Sequence, residues 1–247
     1  MELKGKVAII TGSTSGIGEA TAKELARNGV NVVINGSKSE DKGKKIVEGI
    51  KKIGSDAIFV KANITKEDEV KNLINKTIEK FGRIDILVNN ASDDIAGFIE
   101  NLKTKDWDFV VDINLKAPFL CTKHSIPHLK KTEGIIINIS SRLGIKPVKE
   151  CSAYCSSKAA LINFTKTSAL ELSRYGIRVN CICPGATDTP LLHRVYTKEE
   201  IENMKKSSPL GRIGKPEDIA KTILFLCTEG EYINGGTIVV DGGSILK

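Results

Sequence analysis

Short runs of β-branched and aliphatic residues alternate along this chain with longer stretches whose apolar positions recur every three to four residues. Val7 to Ile10, Val30 to Ile34, Ala57 to Val60, Ile84 to Val88, Ile135 to Ile139, Ile177 to Ile182 and Thr237 to Val240 read as seven strands. Their near-continuous apolar character predicts burial on both faces. Gly16 to Asn28, Ser39 to Ile53, Lys66 to Phe81, Asp106 to Lys130, Ser152 to Tyr175 and Pro216 to Cys227 carry helical spacing. Such alternation builds a parallel sheet with helices on both faces, so the expected fold class is α/β, doubly wound, with a seven-stranded parallel sheet. Pro118 falls inside the fourth helical stretch and is expected to bend it.

No repeat or shift in composition divides the 247 residues, which predicts one domain over residues 1–247. The long irregular stretch is residues 186–215, with a helical pattern of its own from Lys198 to Lys206. A connection of that length after a strand reads as a substrate-binding lid.

Composition narrows the function classes. The net charge of +7 comes from lysines interleaved with acids, as in Lys66-Glu67-Asp68-Glu69, so no nucleic-acid surface is expected. The six cysteines suit reduced thiols in a cytoplasmic protein better than a disulfide scaffold. Cys181 and Cys183 have no Cys or His neighbours, and His124 with His128 lacks a third ligand, so no metal is expected. No apolar run reaches spanning length, which argues against a membrane protein.

The first strand runs straight into Thr11-Gly12-Ser13-Thr14-Ser15-Gly16-Ile17-Gly18, which opens the first helix. Glycines in such a turn let the backbone approach a pyrophosphate, and the helix N-terminus offers amide donors and partial positive charge. Further along, Asn89-Asn90-Ala91 follows the fourth strand, Asn114 sits in the next helix and Ser141 ends the fifth strand. Tyr154-Cys155-Ser156-Ser157-Lys158, then Pro184-Gly185, then Val240-Asp241-Gly242-Gly243 complete the series. In this order the motifs resemble the short-chain dehydrogenase/reductase family over essentially the whole chain, a Rossmann-like fold. Pro209-Leu210-Gly211-Arg212 and Pro216-Glu217-Asp218 look most like its 3-oxoacyl carrier-protein reductase branch.

Tyr154 and Lys158 lie one helical turn apart and so share a face. A free tyrosine titrates at about 10. A neighbouring ammonium and a positive nicotinamide are expected to lower Tyr154 into the range of a usable proton donor and acceptor. Ser141, at a strand end, would hold the substrate oxygen, with Ser140 as the second choice. The resemblance implies that Asn114 holds a water linking Lys158 to solvent. The expected catalytic set is therefore Asn114, Ser141, Tyr154 and Lys158.

The expected cofactor contacts are Gly12, Ser13, Thr14, Ser15, Gly16, Ile17 and Gly18 in the turn, then Ser37 and Lys38, Asn63 and Ile64, Asn90 and Ala91, Tyr154, Lys158, Pro184, Gly185, Thr187 and Thr189. Enzymes that use NAD usually carry an acid just past the second strand, where this chain has Asn35-Gly36-Ser37-Lys38. NADP is therefore favoured over NAD, although Ser15 stands where many NADP-preferring relatives have a basic residue. Ser92 departs from the family's usual glycine.

The expected reaction is reduction of a ketone to a secondary alcohol or its reverse, on a small-molecule or carrier-bound carbonyl substrate. Lys130, Lys131 and Arg174 are candidates for a basic entrance to the site, Arg142 for an anionic substrate group and His193 for a lid contact. A dehydrogenase of a sugar, polyol, steroid or other small alcohol is the alternative. Readings of another class are a non-catalytic NADP(H) sensor and an epimerase or dehydratase. The resemblance further implies a homotetramer.

Overall fold

The computed structural model describes residues 2–247. Seven strands form one parallel sheet: β1 Val7–Ile10, β2 Asn31–Gly36, β3 Ala57–Lys61, β4 Ile86–Asn89, β5 Ile135–Ile139, β6 Arg178–Pro184 and β7 Thr237–Val240. Their spatial order is β3-β2-β1-β4-β5-β6-β7. This is the expected doubly wound architecture, and the order reverses between β1 and β4, where such sheets open a crevice at the carboxyl ends of their strands.

Nine α-helices complete the fold among the described residues: α1 Gly16–Arg27, α2 Glu40–Lys52, α3 Glu67–Phe81, α4 Thr104–Val111, α5 Ala117–Leu129, α6 Ser152–Leu172, α7 Pro190–Val195, α8 Lys198–Ser207 and α9 Pro216–Thr228. Each central strand feeds both faces of the sheet. Ala8 and Ile10 join one core with Leu25, Ile223 and Leu226, beneath α1 and α9. Ile9 points the other way into a second core with Leu73, Leu120 and Leu172, beneath α3, α5 and α6. Each fully buried aliphatic side chain stabilises such a core by about 1.5–3 kcal/mol, which is why the strand runs carry so few polar residues.

The fourth helical stretch differs from expectation. It is broken at Asp112–Lys116 by a turn of π-helix, and Pro118 then lies in the first turn of α5, where its missing N–H is tolerated. The wide turn displays Asn114, which is fully buried. The stretch 186–215 contains α7 as well as α8. The capping box of α8 matches its sequence pattern, with Thr197 accepting from the Glu200 amide and the Glu200 carboxylate accepting from the Thr197 amide.

Candidate active site

At the switch point a cleft of about 990 Å³ runs along the carboxyl ends of the strands. Its floor is the glycine turn between β1 and α1. Gly12 and Gly16 have φ of 61° and 56°, a region that disfavours a Cβ. Packing adds a second constraint, because a Cβ on Gly12 would lie 2.7 Å from the Ala91 Cα. The turn is stitched to the loop after β4. The Thr11 hydroxyl accepts from the Asn90 and Ala91 amides at 2.9 and 3.1 Å, and the Asn90 Nδ2 donates to the Thr11 carbonyl at 2.9 Å.

Ser15 is the N-cap of α1 but makes no side-chain capping bond. The first-turn amides of α1 thus keep their donors beside the cleft, and with the glycine backbone they fit the pyrophosphate of a dinucleotide.

Thr14, Ser15, Ile17, Ser37, Lys38, Asn63, Ile64, Asn90, Ala91, Pro184, Gly185, Thr187 and Thr189 line the same cleft with Gly12 and Gly16. Ser13 and Gly18 do not. Ser13 is fully buried; its hydroxyl donates to the Ile10 carbonyl at 2.7 Å and its amide to the Asn35 carbonyl at 2.9 Å. It ties β1 to β2 and has no donor left for a ligand. Gly18 serves close packing, since a Cβ there would meet the Asn90 Nδ2 at 2.5 Å. Thr187 donates to the Gly185 carbonyl at 3.0 Å, and the Thr189 hydroxyl caps α7 by accepting from the Leu192 amide at 3.3 Å.

Asn35 turns inward, donating to the carbonyls of Val60 and Ala62 at 3.2 and 3.1 Å. Lys61, which sequence reading missed, lines the cleft with Ser37 and Lys38. Parallel pairing of β2 with β3 puts it opposite Gly36, a register that no local pattern announces. Asn63 spends its Oδ1 on the amide and hydroxyl of Thr65 at 3.2 and 2.9 Å, leaving the Nδ2 as its donor.

At the other end of the cleft, Ser141, Tyr154 and Lys158 come together. The Ser141 hydroxyl lies close enough to the Tyr154 phenol to favour its ionised form and accepts from the Leu143 amide at 3.1 Å. Ser140 also lines the cleft, but its hydroxyl is committed to the Lys158 carbonyl, to which it donates at 2.8 Å. Lys158 is 1 % exposed. Its Nζ lies 5.4 Å from the Tyr154 ring centre and donates to the Ile139 carbonyl at 2.9 Å.

The electrostatics differ from the expected acidification. Burial pushes the Tyr154 phenol up to about 12, against smaller lowering from Ser141 and Ser92. Burial likewise pushes the Lys158 amine down to about 8. In both groups the largest cause is desolvation, which opposes the charged form.

Asn114 does not line the cleft. Its Oδ1 accepts from the Ser92 hydroxyl at 2.7 Å and the Asp93 amide at 3.2 Å, and its Nδ2 donates to the Asp93 carbonyl at 2.8 Å. All of that side chain holds the loop after β4. Ser92 in turn acts to lower the Tyr154 phenol against its burial, a connection that only its departure from glycine hinted at.

Other candidates fall elsewhere. Lys130 and Arg174 stack on the Tyr175 ring at 3.6 and 4.8 Å. They sit where α5 and α6 run back to the starts of β5 and β6, so within one chain they lie at the end of the sheet opposite the cleft. Arg142 lines the cleft. His124 is bonded to Glu67 at 2.8 Å, and His193 to Asp188 at 2.6 Å. All six cysteines are free and buried, and no helix of the described residues is long and apolar enough to cross a membrane.

Comparison with known proteins agrees with this geometry. The family model described as enoyl-(acyl carrier protein) reductase matches residues 12–244. A 3-oxoacyl-(acyl-carrier-protein) reductase of Thermotoga maritima is 39% identical, with 100% of both chains covered. Among solved structures, a 3-ketoacyl-(acyl-carrier-protein) reductase from Brucella melitensis complexed with NADH is 33% identical with a TM-score of 0.91, covering 98% of this chain and 99% of that one. A short chain dehydrogenase from Burkholderia cenocepacia in complex with NADP is 34% identical with a TM-score of 0.93, covering 99% of each. With a glycine turn, a Ser-Tyr-Lys cluster and full-length relatives all agreeing, the chain belongs to the short-chain dehydrogenase/reductase family.

Proposed function

We propose that this oxidoreductase reduces a ketone to a secondary alcohol, and runs the reverse reaction, with NADP taken in preference to NAD. The observation that carries the reaction is the convergence of Ser141, Tyr154 and Lys158 in the cleft that contains the glycine turn. Two hydroxyls that line one cleft can both address one substrate oxygen.

A reduced nicotinamide, when bound, supplies the hydride. The α1 amides and the Gly12 to Ile17 turn would hold its pyrophosphate, and Pro184 to Thr189 would flank the ring. Tyr154, neutral because its pKa is near 12, donates its proton to the substrate oxygen. Ser141 holds that oxygen as charge develops on it. Lys158, as an ammonium, supports the phenolate left behind. Asn114 acts through position, fixing the loop that carries Ser92. The acceptor it can offer towards Lys158 by a water is its main-chain carbonyl, which Pro118 has no N–H to satisfy.

Support for NADP is the company of Lys61 with Ser37 and Lys38 at the cleft end, two cations and a hydroxyl that suit a phosphate. The relatives' names put carrier-bound 3-oxoacyl groups among the substrates to test. For assembly, a homotetramer follows from the family resemblance. Phe119 and Leu170, 47 % and 81 % exposed on α5 and α6, offer apolar surface for it.

The test is a panel of ketones followed by nicotinamide absorbance with NADPH and NADH. Turnover with higher kcat/KM for NADPH is expected, with Lys38→Ala and Lys61→Ala raising KM for NADPH and leaving NADH little changed. Higher kcat/KM with NADH overturns the cofactor preference, and no turnover of any ketone overturns the reaction.

A further inference from the structure

The strand that leads to Ser141 stops short of it. β5 ends at Ile139, and Ser141 caps a turn of 3₁₀-helix over Arg142–Gly144, its hydroxyl accepting from the Leu143 amide. A continued strand would turn Arg142 to the side opposite Ser141, whereas the turn leaves both residues lining the cleft. The Arg142 backbone is pinned there. Its carbonyl accepts from the Ile145 and Lys146 amides at 3.0 and 2.9 Å. Gly144, two residues on, lies so close to α6 that a Cβ on it would meet the Lys158 carbonyl carbon at 2.7 Å. The base of the Arg142 side chain is thus held in a fixed place relative to Tyr154 and Lys158.

The guanidinium itself is uncommitted. Arg142 is partly buried, yet among the described residues its side chain has no hydrogen bond, ion pair or ring contact. The other six arginines of the chain are each engaged: Arg27, Arg83, Arg194 and Arg212 by a carboxylate, Arg174 by the Tyr175 ring and Arg178 by main-chain carbonyls. The remaining charges at the catalytic end of the cleft have partners too. Lys158 donates to the Ile139 carbonyl and Asp93 is paired with Arg194. Asp94 is buried, with Lys158 and Arg194 set against its charge. A guanidinium presents its donors in a planar fork that matches a carboxylate. Arg142 therefore has donors to offer a ligand, beside the residue that holds the substrate oxygen.

We propose that Arg142 holds a carboxylate carried by the ketone substrate, an assignment that rests on the ketone-reductase reading above. Two N–H groups of the fork donate to the two carboxylate oxygens. Ser141 and Arg142 are consecutive, with Cα atoms about 3.8 Å apart. A carbonyl at the Ser141 hydroxyl and a carboxylate at the guanidinium therefore belong to one short molecule and are separated by a few carbons. A single guanidinium balances the charge of a carboxylate. A phosphate carries more charge into a cleft that Asp93 and Asp94 also line. An ester or thioester offers only neutral acceptors, whose hydrogen bonds are about half as strong. The substrate class is thus a free oxo acid, reduced to a hydroxy acid.

The experiment uses the full chain with NADPH and with NADH, comparing 3-oxobutanoate and 4-oxopentanoate with their ethyl esters and with dihydroxyacetone phosphate. At least one acid is expected to show kcat/KM at least about tenfold above its ester. Arg142→Met is expected to lower kcat/KM for that acid by a similar factor, through KM, so that the ratio of acid to ester falls to about one or below. Arg142→Lys, which keeps the charge and loses the fork, should give an intermediate ratio and serves if the methionine variant does not fold. Three results overturn the assignment and leave the reductase reading standing: no acid preferred over its ester, a ratio undiminished in both variants, or dihydroxyacetone phosphate preferred to both acids. A rise in KM for the nicotinamide that matches the loss on the acid also overturns it, by placing Arg142 on the cofactor. Failure to reduce any of the five with either nicotinamide overturns both readings.

Discussion

Lys158 donates from Nζ to the Ile139 carbonyl at 2.9 Å, so the amine beside Tyr154 is anchored to the strand that leads into Ser141. The bond fixes the amine's position in a pocket where burial opposes its charge. Site geometry is held here at the expense of site stability, and that trade has measurable consequences.

The first concerns direction and pH. Reduction draws on the neutral Tyr154 phenol, held up near 12, and on the Lys158 ammonium, which loses its proton near 8. Reduction should therefore hold at lower pH and decline as pH rises through about 8, whereas alcohol oxidation, which needs the phenolate, should keep rising into the alkaline range. Profiles of kcat/KM in both directions test this. A single shared optimum contradicts it.

A second consequence is stability. An amine whose folded pKa lies below its unfolded value of 10.5 destabilises the fold wherever it must carry charge. The penalty is complete below about 8 and disappears by 10.5, because across that window the unfolded chain binds more protons. Lys158→Met is expected to abolish turnover while raising the melting temperature by a few degrees, less the lost bond to Ile139. The gain should shrink as pH climbs from 8 to 10.5. A variant less stable than the parent at neutral pH contradicts this.

Ser92 offers a third. Its hydroxyl donates to the Asn114 Oδ1 at 2.7 Å and acts to lower the pKa of Tyr154. Ser92→Ala should move the alkaline rise of alcohol oxidation to higher pH and cost about 1 kcal/mol of stability, read by denaturant unfolding. An unmoved profile assigns Ser92 to loop structure alone.

Much of this site was legible before the fold was known, and the reason is local. The glycine turn, the Tyr154 to Lys158 spacing and the strand-end Ser141 are read within one turn or one strand, and the sheet order brings their elements together. What escaped depended on distant partners. Lys61 reaches the cleft through strand register, and Cys151 is brought to the loop after β4 by a bridge to Gly97. Ser13 and Asn114 have the right chemistry, but neighbouring backbone consumes their donors and acceptors. Lys130 and Arg174 were misplaced because an antiparallel crossover helix returns its C-terminus to the far end of the sheet.

The central claim is that one phenol delivers the proton to the substrate oxygen, and Tyr154→Phe tests it most directly. The variant should keep its melting temperature within a few degrees and bind NADPH within a few-fold of the parent, while kcat for ketone reduction falls by a factor on the order of 10³ or more. Reduction within tenfold of the parent would show that the proton comes from elsewhere.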